Sequence, residues 1–372
     1  MNFNSTPNKL ARLCELMAAA CLVAALAACG GGGSEASTGS TSGSTGGSGL
    51  PAAGIVPTVG TLAASAPTPT YAAGSDQLLA FNTLQAARQN AGAGLLVQST
   101  QIDTAAGAHS TYLGDNFAQG VSHTETSGLP GYYADTLDAR LIKAGYQFAL
   151  GGEVLAAVNS TTPATGGDCV AQLLNTVYHL SVMLSPLTQV GIGTDATTAA
   201  GMPLQVCVLD LATPAANGAL QIPATGAVVA YPFPGQTNVP ASFQPGGESP
   251  RVPVALVPAQ VAGPPIAISL ANADYVNISD VGTLNATLIT FTLTDAAGSL
   301  VPAAIIANPA IHGSTNVTVN ADTTGDIGTG MAVMIPLAAL NTSSTYTVTV
   351  NATLQAGGTP LAKTWTFTTA AN

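Results

Sequence analysis

The period of the hydrophobic pattern changes near Asp210, and this change constrains the fold of the 372-residue chain more than any other feature. Before it, apolar residues recur at helical spacing in four segments. Leu78, Phe81 and Leu84 share a side of 76–88, and Ile102, Ala105, Ala106, His109 and Leu113 share one of 101–113. Leu137, Leu141 and Ala144 do the same in 135–144, and Val170, Leu173, Leu174 and Val177 in 170–178. The fourth predicted helix delivers His179 at its C-terminal end, where the helix dipole favours a protonated ring. Residues 190–193 and 203–209 read as strands. After Asp210 a period of two takes over. Tyr346, Val348, Val350, Ala352 and Leu354 alternate with Thr347, Thr349, Asn351 and Thr353. Ile289, Phe291 and Leu293 face away from Leu288, Thr290, Thr292 and Thr294, and Trp365 and Phe367 share a face of the last strand. Short strands separated by Gly, Asn and Asp turns, with no helical period, predict an antiparallel sandwich. The predicted class is α+β.

The amino terminus reads as an address label. Lys9 and Arg12 precede an apolar run from Leu16 to Ala28 that is too short for a membrane-spanning helix. The run ends in Leu26-Ala27-Ala28-Cys29, which resembles the lipobox of bacterial lipoproteins. That resemblance implies cleavage before Cys29, lipid on its thiol, and an anchor of more than the two acyl chains that stable attachment requires. Gly30 after the cysteine, rather than aspartate, implies delivery to the outer membrane or cell surface. Residues 30–49 are almost all Gly, Ser and Thr, and a Pro/Ala-rich run follows to about Ala73. Such sequence buries too little apolar surface to offset its ordering entropy, so it reads as a spacer lifting the folded part off a membrane. The expected organisation is a signal peptide over 1–28, the lipidated cysteine and linker over 29–74, a first domain over 75–212, a linker over 213–225 and a second domain over 226–372.

Composition narrows the partners. Formal net charge is −11 with only seven basic residues, which leaves nothing to neutralise a run of phosphates and excludes nucleic acid. Of five cysteines, Cys14 and Cys21 leave with the leader and Cys29 carries lipid. Cys169 and Cys207 remain, and in an exported protein the simplest expectation is one disulfide, with a thiol nucleophile or metal pair as the alternative.

Charged residues are 7% of the chain, yet three of its four histidines (His109, His123, His179) gather with Glu125, Glu153 and Asp168 between residues 109 and 193. His109 sits on the apolar stripe of its helix, which suits either a buried structural ring or a site. His123 and Glu125 share a loop, and Glu153 heads the apolar run 154–158. The fragments AGAHSTYL, SHTETSG, RLIKAGY, GGEVLA, HLSVMLSP and VGIG occur in the order and approximate spacing of the CAP superfamily of cysteine-rich secretory, antigen 5 and pathogenesis-related type 1 proteins. The chain resembles its bacterial branch over about 75–210. The resemblance implies an α-β-α sandwich with a cleft lined by His123, Glu153 and His179, in which His123 and His179 hold a divalent metal in some members. A second cleft glutamate of the family has no counterpart, since Thr176 falls at its place. The later segment YPFPGQTNVPASF resembles the entry to an Ig-like β-sandwich domain.

Two imidazoles and a carboxylate can ligate zinc with an open position for water, or act as a general acid/base pair without metal. No Gly-x-Ser-x-Gly elbow accompanies them. Three functions follow as expectations: a binding module for an apolar or envelope-derived lipid, peptide or cell-wall ligand, a metal-assisted hydrolase using His123, Glu153 and His179, or a structural envelope protein.

Overall fold

The computed structural model describes residues 28–29, 58–216, 218–272, 285–354, 358 and 360–371. The leader and the Gly/Ser/Thr spacer lie outside the described residues, apart from the backbone of β1 (Ala28–Cys29). The chain is α+β: among the described residues every helix lies between 76 and 183, and the described part of the carboxyl-terminal half is strand and turn.

Side-chain caps start the first three helices. Ser75, Ser99 and Thr136 accept backbone N–H bonds at the heads of α1 (Asp76–Ala91), α2 (Thr100–Asp115) and α3 (Leu137–Lys143). A capping box between Thr165 and Asp168 starts α4 (Gly166–Leu173), which gives Asp168 a local structural task. The predicted helix over 170–178 is corrected here. Thr176 turns its hydroxyl back onto the Leu173 carbonyl, the chain breaks, and α5 (Tyr178–Met183) begins anew. His179 therefore lies at the start of a helix and not at the end of one, which removes the basis of the dipole argument.

The helices cover both faces of a four-stranded sheet ordered β3 (Val97–Gln98), β5 (Gln189–Ala199), β6 (Met202–Pro214), β4 (Phe148–Asn159). Only the β3–β5 pairing is parallel. On β4, Val154 and Ala156 pack with α1, α4 and α5, while Leu155 and Ala157 pack with α2. A strand buried on both faces must be apolar throughout, which accounts for the run 154–158. Gly191 and Gly193 let α2 lie directly on β5: a Cβ at Gly191 would fall 2.2 Å from the Asp103 nitrogen, and one at Gly193 2.1 Å from the Ala106 carbonyl. A disulfide between Cys169 and Cys207 ties α4 to β6. Arg88, fully buried, donates to the carbonyls of Ala93, Gly94, Met183, Ser185 and Leu187, so it fastens the end of α1 to the turn after α5.

The stretches read as linkers are partly packed. β2 (Thr58–Thr61) pairs in parallel with β7 (Ala219–Ile222), and Leu220, Gln221 and Ile222 are buried. Gln221 explains the docking, because its amide bonds Ala63, Leu95 and Leu187. Residues 58–61 and 219–222, read from the sequence as linker, therefore pair with each other as strands.

In the carboxyl-terminal half one sheet joins β8 (Val229–Tyr231), β10 (Ile266–Ser269), β12 (Ala303–Ala307), β14 (Asn320–Ala321) and β15 (Met331–Pro336). A second joins β11 (Ala286–Thr294), β13 (Ile311–Gly313), β16 (Thr345–Leu354) and β17 (Pro360–Thr368). In the chain, β9 (Glu248–Ser249) and a proline-rich crossing lie between β8 and β10, and β9 runs beside β1. Leu288 and Phe291 from one sheet meet Ile268 and Met334 from the other. A bulge between Leu288 and Thr290 overturns the simple alternation of β11: Leu288, Phe291 and Leu293 point inward and Ile289 is exposed. His312, read as a loop residue, is exposed on β13.

The opposite face of β10, β12 and β15 is buried too. Ala267, Ile306, Val333 and Ile335 share one hydrophobic core with Leu173, Val177, Leu180 and Met183. The two halves are therefore layers of one body, with α4 and α5 packed between sheets. Among the described residues no helix is long and apolar enough to cross a membrane.

Candidate functional site

The predicted cluster sits where α2, α3, β4 and the loop before α3 converge. His109 on α2 is fully buried. Its Nδ1 lies 2.9 Å from Glu125 Oε1 and its Nε2 3.0 Å from the Ser122 carbonyl oxygen. Arg140 on α3 is also fully buried; it donates to Glu153 Oε2 at 2.6 Å and to the His123 carbonyl at 3.2 Å, with Glu125 Oε1 3.9 Å away. Glu153 Oε1 accepts from His123 Nδ1 at 2.7 Å.

Arg140 and the His109 ring thus face two buried carboxyl groups, Glu125 and Glu153. Burial favours the neutral form of Glu153. Arg140, then His109 and the His123 hydrogen bond, outweigh it and hold the carboxyl well below the usual carboxylate range. Burial likewise opposes ionisation of Glu125, and bonds from His109 and the Tyr133 amide with the charges of His109 and Arg140 bring it below its ordinary value. Asp210 stands directly across the ladder from Glu153. Burial first, and then the Glu153 charge, push it well above the ordinary value, and neither oxygen makes a hydrogen bond. Of the three carboxyl groups here, Asp210 is the one pushed toward its protonated form.

His179 is buried in a different setting. Its Nδ1 is 2.9 Å from Thr176 Oγ1 and 3.5 Å from Glu248 Oε2. Glu248 comes from β9 in the other half, is buried, and accepts the backbone N–H groups of Val177 and Tyr178 at 2.9–3.1 Å. A carboxylate is thus present beside His179 although Thr176 offers none. Nothing in the pattern around Glu248, a Gly-Gly-Glu-Ser-Pro turn, signals this, because the contact spans about 70 residues.

Of the predicted site residues, then, His123 and Glu153 are bonded directly, and His179 joins Glu248. Glu125 and His109 belong to the first group, and the chain reading left the role of both undecided. Arg140 and Asp210 were missed as site residues. A lone arginine in the RLIKAGY fragment and a lone aspartate inside the apolar strand 206–211 were the available signals. Among the described residues no group of three or more His, Cys, Asp or Glu side chains is placed to hold a metal ion. Glu153 gives one carboxylate oxygen to His123 Nδ1 and the other to Arg140.

Comparison with known proteins finds no matching family model, curated protein or solved structure.

Proposed function

We propose that the chain is an exported, lipid-anchored binding protein of the bacterial envelope, with a CAP-type α-β-α layer and an Ig-like β-sandwich, and that it works by holding an envelope-derived ligand. The six ordered fragments and the two-faced sheet covered by helices support the CAP-type reading. The facing sheets of the carboxyl-terminal half support the Ig-like one. Leu26-Ala27-Ala28-Cys29 and the spacer support anchoring at the outer membrane or cell surface.

One observation carries the choice of binding over catalysis: both oxygens of Glu153 are taken up, one by Arg140 and the other by His123. A general acid must release a proton near neutral pH, and Glu153 is held ionised by Arg140. The hydrolytic alternative, with or without zinc, needs the same residues free. The cluster instead fixes the loop that carries His123 and Glu125 against α2, α3 and β4.

Two measurements test the reading. Replacement of Cys29 by Ala is expected to move the protein from the detergent phase to the aqueous phase on Triton X-114 partition; retention in detergent removes the anchor. Native mass spectrometry of protein taken from its own envelope is expected to show a bound small molecule. A bare mass from several preparations, or peptide or cell-wall hydrolysis abolished by Glu153→Gln, removes the binding reading.

A further inference from the structure

The segment 244–261, between β8 and β10, is a loop closed at its neck by Phe243 and Ala262, which exchange backbone hydrogen bonds of 2.9 and 3.0 Å. Two turns build it. Gly247 donates to the Gln244 carbonyl, and the N–H groups of Leu256 and Val257 share the Pro253 carbonyl. The Val252 N–H bonds the Pro245 carbonyl and ties one turn to the other. Val252 and Val257 are buried in the shared core, which anchors the loop from below. Prolines at 245, 250, 253 and 258 fix φ at four positions, so little ordering entropy is left for a guest to offset.

The two turns enclose a cavity of about 400 Å³, within the size range of small-ligand sites. Val252, Val257 and Pro258 supply apolar wall, and Gln244, Arg251 and Gln260, all exposed, supply polar lining. Among the described residues no acid lines it. Glu248, the only acid of the segment, is turned inward onto the Val177 and Tyr178 amides.

Arg251 differs from every other described lysine and arginine. Arg88 is taken up by backbone carbonyls, Arg140 by Glu153, Lys143 by the Tyr133 carbonyl and Lys363 by that of Val228. Among the described residues Arg251 has no hydrogen-bond or ion-pair partner, and neither have the side-chain amides of Gln244 and Gln260. The guanidinium is nonetheless placed. Its Nη2 lies over Gly246, where a Cβ would stand 2.6 Å away, so the glycine makes its room. An exposed cation alone is ordinary. Here it is uncommitted in a chain of net charge −11, and it opens on a cavity with two amides beside it.

We propose that this cavity binds a carboxylate carried on a short apolar body, with Arg251 as its charged partner and Gln244 and Gln260 as amide donors. A guanidinium offers two parallel N–H groups that match the two oxygens of a carboxylate. One cation and two neutral amides suit one negative charge. A phosphate dianion would keep a charge uncompensated in a protein that is already acidic. The proposal rests on the binding reading and names the recognised end of the ligand, the acid of a free small molecule or the carboxyl terminus of a peptide.

The test uses the full mature chain with 15N-labelled arginine, titrated with butyrate and, separately, with butyramide, which has the shape without the charge. Butyrate is expected to shift the Arg251 Nε–H resonance saturably, while the buried Arg88 and Arg140 stay in place as controls. Binding to variants is followed on the butyrate resonances by saturation transfer. Arg251→Met should weaken it by roughly tenfold or more, the loss of a charge-assisted pair. Gly246→Ala, which pushes the guanidinium aside, should weaken it by less, and both variants should melt with the parent protein. Absence of a saturable shift, an equal response to butyramide or to inorganic phosphate at matched ionic strength, or undiminished binding by Arg251→Met overturns the site. N-acetyl-dialanine and its carboxyl-terminal amide, compared with butyrate, assign the source of the acid. If the acids fail while a ligand still co-purifies, only this site falls. If they bind and nothing co-purifies, the envelope-ligand reading falls alone.

Discussion

Replacing Arg140 by Met keeps most of the side-chain volume and removes the charge at the centre of the buried cluster. The guanidinium is fully buried, 2.6 Å from Glu153 and 3.9 Å from Glu125. Removing one partner of such a pair leaves a charge uncompensated in a poorly polarisable setting and costs about 3–5 kcal/mol. With a transition entropy of about 2.1 cal/mol/K per residue over roughly 300 residues, 4 kcal/mol lowers Tm by about 6 °C. The sign of the pH dependence follows from Glu153. Its folded-state pKa is depressed, so its contribution is present above the ordinary carboxylate range and is lost as pH falls toward the depressed value. The gap between Arg140→Met and the parent protein should therefore be full at pH 7 and close as the pH falls below about 4. Two probes read the melt. Far-UV circular dichroism follows the helices of the first half, and fluorescence follows Trp365, the only tryptophan, whose Nε1 donates to the Pro232 carbonyl in the other half. Because α4 and α5 share a core with β10, β12 and β15, both transitions should move together. A loss under about 1 kcal/mol, or an equal loss at pH 3, would refute the ion-cluster argument. A Trp365 transition that stays put would refute the shared core.

Three further outcomes follow from the same geometry. Asp210→Asn copies the protonated acid; since the folded pKa is raised, the wild-type group loses stability as pH rises above the ordinary aspartate value, so the variant should melt higher at pH 7–8 and equally at pH 3. Glu248→Ala strands the buried Val177 and Tyr178 amides and should cost about 3 kcal/mol in urea unfolding, with loss of the His179 contact visible by NMR. Replacing both Cys169 and Cys207 by Ala opens a loop of sequence separation 38 and should lower unfolding free energy by about 4 kcal/mol, measured by denaturant titration; an unchanged midpoint would contradict the bond.

Local order decides what can be read from the chain. The 3.6-residue period located α1, α2 and α3 to within three residues, because each has one apolar stripe and a Ser or Thr cap beside it. The period of two located β16 and β17 for the same reason. It misread β11, where a bulge moves Ile289 outward, and the fourth helix, where the Thr176 back-bond interrupts a stripe that continues through the break. Those are local events invisible to a periodic count.

The amino-acid sequence by itself determined the α+β class, the scarcity of charge and the gathering of imidazoles with carboxylates. Tertiary structure alone decided the partners: Arg140 with Glu153, Asp210 opposite Glu153, and Glu248 beside His179. It also decided that two differently patterned halves share one core. The physical reason is reach. A stripe or a cap is settled by neighbours within one turn, whereas the state of a buried charge is set by groups that come within a few ångströms only after distant segments have packed.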